Sequence, residues 1–110
     1  MKLLEKLETY RTSEKIALKS EKDELTYKEL WEYSDNLADY LLKNLKKKEP
    51  IVVYGHKDPF MIVCFLACVK SGHTYCPVDI SISLERLNDI VSAVKPEIVL
   101  SCTEEKMERF

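Results

Sequence analysis

Between Phe60 and Val69 the chain runs through ten consecutive apolar residues, a stretch that few folds can accommodate. As a helix it rises only about 15 Å, roughly half the hydrocarbon thickness of a bilayer, so it reads as a buried helix and not as a membrane span. Asp58 suits an N-cap, Pro59 the first helical position and Gly72 the exit, which predicts a helix over 59–71. Apolar side chains run almost all the way round it, so it must be covered by a sheet on one side and by something else on the other.

The flanking sequence supplies that sheet. Ile51 to Tyr54 is a short β-branched and aromatic run, as expected of a strand covered on both faces, and Thr74 to Val78 reads as a second strand interrupted by Pro77. Ser83 caps a third helix whose buried stripe is Leu84, Leu87, Ile90, Val91 and Val94, and Pro96 ends it. Ile98 to Leu100 forms a third strand, and Thr103, Glu104 and Glu105 begin a further helix. The pattern is β-α-β-α-β, a partial parallel unit with right-handed crossovers.

Upstream, residues 2–10 form a short amphipathic helix with Leu3, Leu4 and Leu7 on one face. Ile16–Leu18 and Leu25–Tyr27 flank the polar turn Ser20–Glu24 and predict a hairpin. Thr26 followed by Glu29 is a capping box opening a long helix that ends near residue 46, ahead of Pro50. Its packed face carries Leu30, Ser34, Leu37, Ala38, Leu41, Leu42 and Leu45; Glu32, Asp35, Asn36, Asp39 and Lys43 take the solvated face.

Composition narrows the function classes. At 110 residues the chain is one small domain at most. Its 17 Lys and Arg against 19 Asp and Glu leave no field to attract a phosphate backbone, so nucleic acid is not an expected partner. With only 2 glycines, no Walker or Rossmann phosphate loop can be built. The N-terminus has no apolar signal region, which predicts a cytoplasmic protein. Cys64, Cys68, Cys76 and Cys102 contain no CxxC pair and are expected as reduced thiols.

No catalytic constellation emerges from the residues themselves. His56 follows a parallel strand, where open α/β sheets place ligands; the plainer reading is a loop histidine bonding local backbone. His73 follows a helix-ending glycine and reads as helix-terminus packing. Cys64 and Cys68 share a helical face and could make half a metal site, yet inside an apolar run they behave as core residues. Asp79, at a strand end, is expected to bond its own turn backbone. Lys46 to Lys48 read as solvated surface, and Trp31, Tyr33 and Tyr40 as packing residues. No residue is therefore assigned a catalytic, cofactor-binding or metal role.

Two stretches nevertheless carry a resemblance. Leu25-Thr26-Tyr27-Lys28-Glu29-Leu30 is similar to the first core motif of the adenylate-forming, AMP-binding enzymes, and Val69-Lys70-Ser71-Gly72-His73-Thr74-Tyr75-Cys76-Pro77-Val78-Asp79 to their second. Pro50 to His56, then Pro59, Met61 and Ile62, with Gly72-His73 and Asp79 to Ile82, most resemble the D-alanine:D-alanyl carrier protein ligases of that superfamily. Ser71 and Thr74 stand where alanine is usual, Cys76 replaces an aliphatic residue and Ser83 a common proline, departures that touch packing only.

The resemblance implies that residues 1–110 are the N-terminal segment of a large adenylation domain, truncated before the phosphate loop. It implies a parent that uses ATP and magnesium to adenylate D-alanine and passes it to a carrier-protein phosphopantetheine thiol for teichoic acid D-alanylation. The amino-acid pocket, ribose-binding aspartate and catalytic lysine of that family lie downstream, so the segment alone is expected to be inactive and to hold no cofactor. Its expected partners are the remainder of the domain and, for the parent, the carrier protein, with self-association through exposed apolar surface. Rival expectations are a free-standing α/β interaction module of the same fold, or a fragment of an enzyme adenylating another carboxylic acid.

Overall fold

The structure, a computed structural model, describes residues 2–21, 23–56 and 59–102. Helix α1 (Lys2–Glu8) precedes the hairpin strands β1 (Ile16–Lys19) and β2 (Glu24–Thr26) and the long helix α2 (Tyr27–Asn44). Then come β3 (Ile51–Gly55), α3 (Pro59–Lys70), β4 (Tyr75–Asp79), α4 (Leu84–Val94) and β5 (Val99–Cys102). The expected Asp58 cap, the side chain of Leu3, the thiol of Cys102 and the helix expected from Thr103 lie outside what is described.

Local signals act where the sequence puts them. The Thr26 hydroxyl accepts the Glu29 N–H at 3.1 Å while the Glu29 carboxylate accepts the Thr26 N–H at 3.0 Å, closing the capping box on α2. Likewise, the Ser83 hydroxyl accepts the Arg86 N–H at 3.1 Å and opens α4. Gly72 leaves α3 at φ +78°, a left-handed conformation that costs a Cβ-bearing residue about 1–2 kcal/mol. Lys95 makes the same exit from α4 at φ 53° without that freedom.

β1 and β2 pair antiparallel with a bulge between Ile16 and Leu18, and the other strands form a parallel sheet ordered β4-β3-β5. Helix α3 fills the space between that sheet and α2. Leu37, Ala38 and Leu41 of α2 meet Cys64, Ala67 and Cys68 of α3, Ile51 and Val53 of β3 and Leu100 of β5 in one cluster. On its other flank Val63 and Leu66 join Leu25 and Leu30, with Leu4, Leu7, Ala17 and Leu18 packed around them. The cover that the sequence demanded for this helix is therefore α2 together with the hairpin and α1. No residue of α3 is exposed, and no helix among the described residues is long and apolar enough to cross a membrane.

Lys70, the one charged residue in α3, locks the helix pair. Its ammonium donates to Ser34 Oγ at 2.7 Å, Asp35 Oδ1 at 2.9 Å and the Trp31 carbonyl at 3.2 Å, and stands 3.5 Å above the Trp31 ring. With its side chain only 9% exposed, burial pushes the ammonium below the ordinary lysine range, partly offset by the bond and charge of Asp35 and the charge of Glu8.

Two expectations about packing are corrected. Leu42, assigned to the buried face of α2, is 56% exposed, because it lies about 100° round the helix from Leu41 and falls outside the stripe. The stripe of α4 is not a buried one: Leu87, Ile90, Val91 and Val94 are half-buried and Leu84 is 73% exposed. Strand order and right-handed crossovers put α4 on the sheet face opposite α3. On that face β3 presents only Val52 and Tyr54, and Tyr54 is itself half-buried.

Candidate functional site

The carboxyl ends of β3 and β4, with the hairpin beside them, enclose an open groove of about 510 Å³. Met61, Ile62 and Phe65 of α3 and Pro77 and Val78 of β4 form its apolar floor, while His56, Asp79, Lys19 and Ser20 stand at the rim. Parallel pairing aligns Gly55 with Asp79, so His56 emerges directly beside the end of the neighbouring strand. There His56 Nδ1 lies 3.2 Å from Asp79 Oδ2. The other oxygen, Oδ1, accepts the Ser81 N–H at 2.8 Å, and the Ile80 N–H donates to the Gly55 carbonyl at 3.0 Å. Hydrogen bonds from Ser81, and then from His56, hold the Asp79 carboxyl below the ordinary carboxylate range.

An imidazole beside a carboxylate is half of a proton relay, yet no nucleophile among the described residues completes it. The Ser20 hydroxyl is engaged in its own turn, donating to the Asp23 carbonyl and accepting the Asp23 N–H. Asp79 makes the turn bond expected of it. His56 departs from the local-backbone expectation, because its partner is a side chain on the adjacent strand. What the pair does in this geometry is brace the two strand ends at the mouth of an apolar groove.

The other candidates settle as structural groups. His73 is buried at the opposite, amino end of the sheet, with Nδ1 2.8 Å from Ser71 Oγ and Nε2 3.3 Å from the Lys47 carbonyl, the packing role expected for it. Cys64 and Cys68 are buried in the core, and they and Cys76 carry thiols, not disulfides. No three His, Cys, Asp or Glu side chains converge on a metal site among the described residues, so no magnesium ligand is assigned to them. Trp31 lies under Lys70 and Tyr33 stacks on Phe60 at 6.2 Å, so the aromatic residues of α2 form no common platform.

Of the three lysines after α2, Lys48 reaches the Ser71 carbonyl at 2.9 Å. The backbone N–H groups of Lys46 and Lys47 donate to the Glu97 carboxylate at 3.3 and 2.6 Å. Sequence reasoning missed this Glu97 contact and the Lys70 clamp. A lone lysine closing an apolar helix was a signal for the clamp; nothing local pointed to Glu97.

Comparison with known proteins gives this geometry a context. A family model described as AMP-binding enzyme matches residues 6–109. Over 88 residues the chain is 52% identical to a D-alanine:D-alanyl carrier protein ligase of Listeria welshimeri, covering 78% of the chain and 17% of that ligase. It is 43% identical over 104 residues to the Bacillus licheniformis ligase, covering 92% of the chain and 21% of the relative. The chain thus spans about a fifth of the length of these curated relatives. Among solved structures, the Klebsiella oxytoca NpsA N-terminal subdomain superposes with a TM-score of 0.75 at 23% identity, over 91% of this chain and 26% of that one. A four-domain nonribosomal peptide synthetase bound to AMP and glycine gives 0.78 at 23% identity, over 94% of this chain and 8% of its own. At that identity the superpositions establish the fold alone.

Proposed function

The chain belongs to the AMP-binding enzyme family, and we propose that it is the N-terminal segment of the large adenylation domain of a D-alanine:D-alanyl carrier protein ligase, cut ahead of the phosphate loop. The observation that carries this reading is the identity of 43–52% with such ligases over most of the chain. In the complete enzyme, the D-alanine carboxylate attacks the α-phosphorus of ATP and pyrophosphate leaves. A carrier-protein thiol then attacks the acyl carbon of the adenylate and AMP leaves. This segment contributes architecture to that chemistry: a capped helix, a buried helix and the first strands of a parallel sheet. Its 2 glycines are too few for a phosphate-cradling loop, which supports a non-catalytic role for it. ATP, magnesium and the carrier protein are then the partners of the parent, which works in the cytoplasm.

The test is D-alanine-dependent ATP–pyrophosphate exchange, run on this chain and on the same chain joined to the remaining four-fifths of the Bacillus licheniformis relative. Exchange by the joined protein alone is the expected result. Exchange by the 110-residue chain alone overturns the non-catalytic reading. Activation of another amino acid in place of D-alanine by the chain's own natural parent overturns the substrate.

A further inference from the structure

His73 follows the glycine that ends α3 and is 5% exposed, with both ring nitrogens engaged: Nδ1 lies 2.8 Å from Ser71 Oγ and Nε2 3.3 Å from the Lys47 carbonyl. The number of protons limits what these contacts can be. A carbonyl only accepts, so Nε2 must carry a hydrogen; the other neutral tautomer would set a ring lone pair against the carbonyl oxygen. Ser71, 2% exposed, has a single hydroxyl hydrogen and two acceptors within reach, His73 Nδ1 at 2.8 Å and the Cys68 carbonyl at 3.0 Å. The hydroxyl serves one of them at a time.

Two proton arrangements therefore satisfy the same heavy atoms. With a neutral ring, Ser71 donates to Nδ1, and the Cys68 carbonyl stays paired because it accepts the His73 backbone N–H at 2.8 Å. With a charged ring, Nδ1–H donates to Ser71 Oγ, and the hydroxyl turns to the Cys68 carbonyl. Neither arrangement strands a buried polar group. The second also puts positive charge just past the carboxyl end of α3, where the helix dipole favours it. The other charged groups of this corner come from three elements. On the loop between α2 and β3, the Lys48 ammonium bonds the Ser71 carbonyl at 2.9 Å, and Lys46, Lys47 and Glu49 are exposed. Ahead of β5, the Glu97 carboxylate accepts the Lys46 and Lys47 N–H groups, and Lys95 is exposed. Lys70 of α3 is turned to Ser34 and Asp35.

We propose that Ser71 and His73 form a proton-operated switch at the joint of α3, β4 and the loop between α2 and β3. Protonation of His73 reverses the Ser71 hydroxyl from the imidazole to the Cys68 carbonyl, and the resulting charge-assisted bond tightens the joint.

Two-bond hydrogen–nitrogen correlation spectra of the labelled chain, taken from about pH 8 to about pH 5, read both ring nitrogens directly. Nε2 is expected to hold its hydrogen throughout, and Nδ1 to gain one only on the acid side. A neutral ring with its hydrogen on Nδ1, a mixture of tautomers or a ring that never charges overturns the switch. Urea unfolding gives a second readout. Ser71→Ala is expected to lower the midpoint at both ends of the range, about twice as far at the acid end, because a hydrogen bond to a charged group is about twice as strong as a neutral one. In a His73→Gln background that acid excess is expected to vanish, leaving Ser71→Ala with one effect at both pH values. Equal losses in the wild-type background, or an acid excess that survives His73→Gln, overturns the role of Ser71.

Discussion

Helices α3 and α4 are nearly equal in length, 12 and 11 residues, and their fates are opposite. α3 is apolar almost all round, has little amphipathic bias and leaves no residue exposed. α4 has a clean apolar stripe and an N-cap, yet none of its residues is fully buried. Amphipathicity shows which face of a helix would pack; whether it packs depends on what the rest of the fold brings to that face. For α3 the fold brings α2, the hairpin and the sheet. For α4 it brings one face of a three-stranded sheet, in a chain spanning about a fifth of its relatives.

The largest effect that can break this comparison comes from matched truncations. Leu66→Ala in α3 is expected to cost about 3 kcal/mol, the transfer of a buried side chain plus its cavity. Leu84→Ala in α4 is expected to change stability by less than about 0.5 kcal/mol. Urea unfolding of both variants decides; equal losses would mean that α4 is packed in solution.

A smaller effect belongs to the charged lock on α3. Lys70→Met keeps the apolar stem and deletes the donor to Ser34, Asp35 and Trp31, at a cost of about 1–2 kcal/mol near neutral pH. The sign of its pH dependence follows from burial, which lowers the folded-state pKa. Between that lowered value and the ordinary 10.5, the unfolded chain holds more proton than the folded one, so this group's contribution to stability rises with pH across the window. The difference in urea midpoint between wild type and Lys70→Met, followed through alkaline pH, should change in that direction and stay flat below it.

The smallest effects lie at the two helix exits. Gly72→Ala forces a Cβ into a positive-φ position, 3.2 Å from Lys48 Nζ, and is expected to cost about 1 kcal/mol. Lys95→Gly relieves the same conformation at the end of α4 and is expected to add about 0.5 kcal/mol. Thermal melts of the two variants should therefore shift in opposite directions.

Much of this architecture is legible in short stretches of chain. The capping box at Thr26 and Glu29, the Ser83 cap, the exit at Gly72 and the apolar run of α3 each work through groups within a few residues of one another. Periodicity therefore finds all the described helices and strands to within a few residues. The functional candidates were less legible, because their partners are distant in sequence. His56 meets Asp79 23 residues away, Lys70 meets Ser34 36 residues away and Lys47 meets Glu97 50 residues away. No spacing rule reaches across such gaps. The groove has no sequence signature at all, since it is the space left between a hairpin, a helix and two strand ends.

By itself, then, the sequence determined the elements, their order, the parallel character of the sheet and the family resemblance, because backbone propensity, capping and hydrophobic period act locally. Only the tertiary structure decided which apolar faces are covered, that Leu42 and Leu84 are left out, and which strands stand at the edges of the sheet. Those outcomes depend on strand order and register, and strand order is chosen by packing between segments that the sequence keeps far apart.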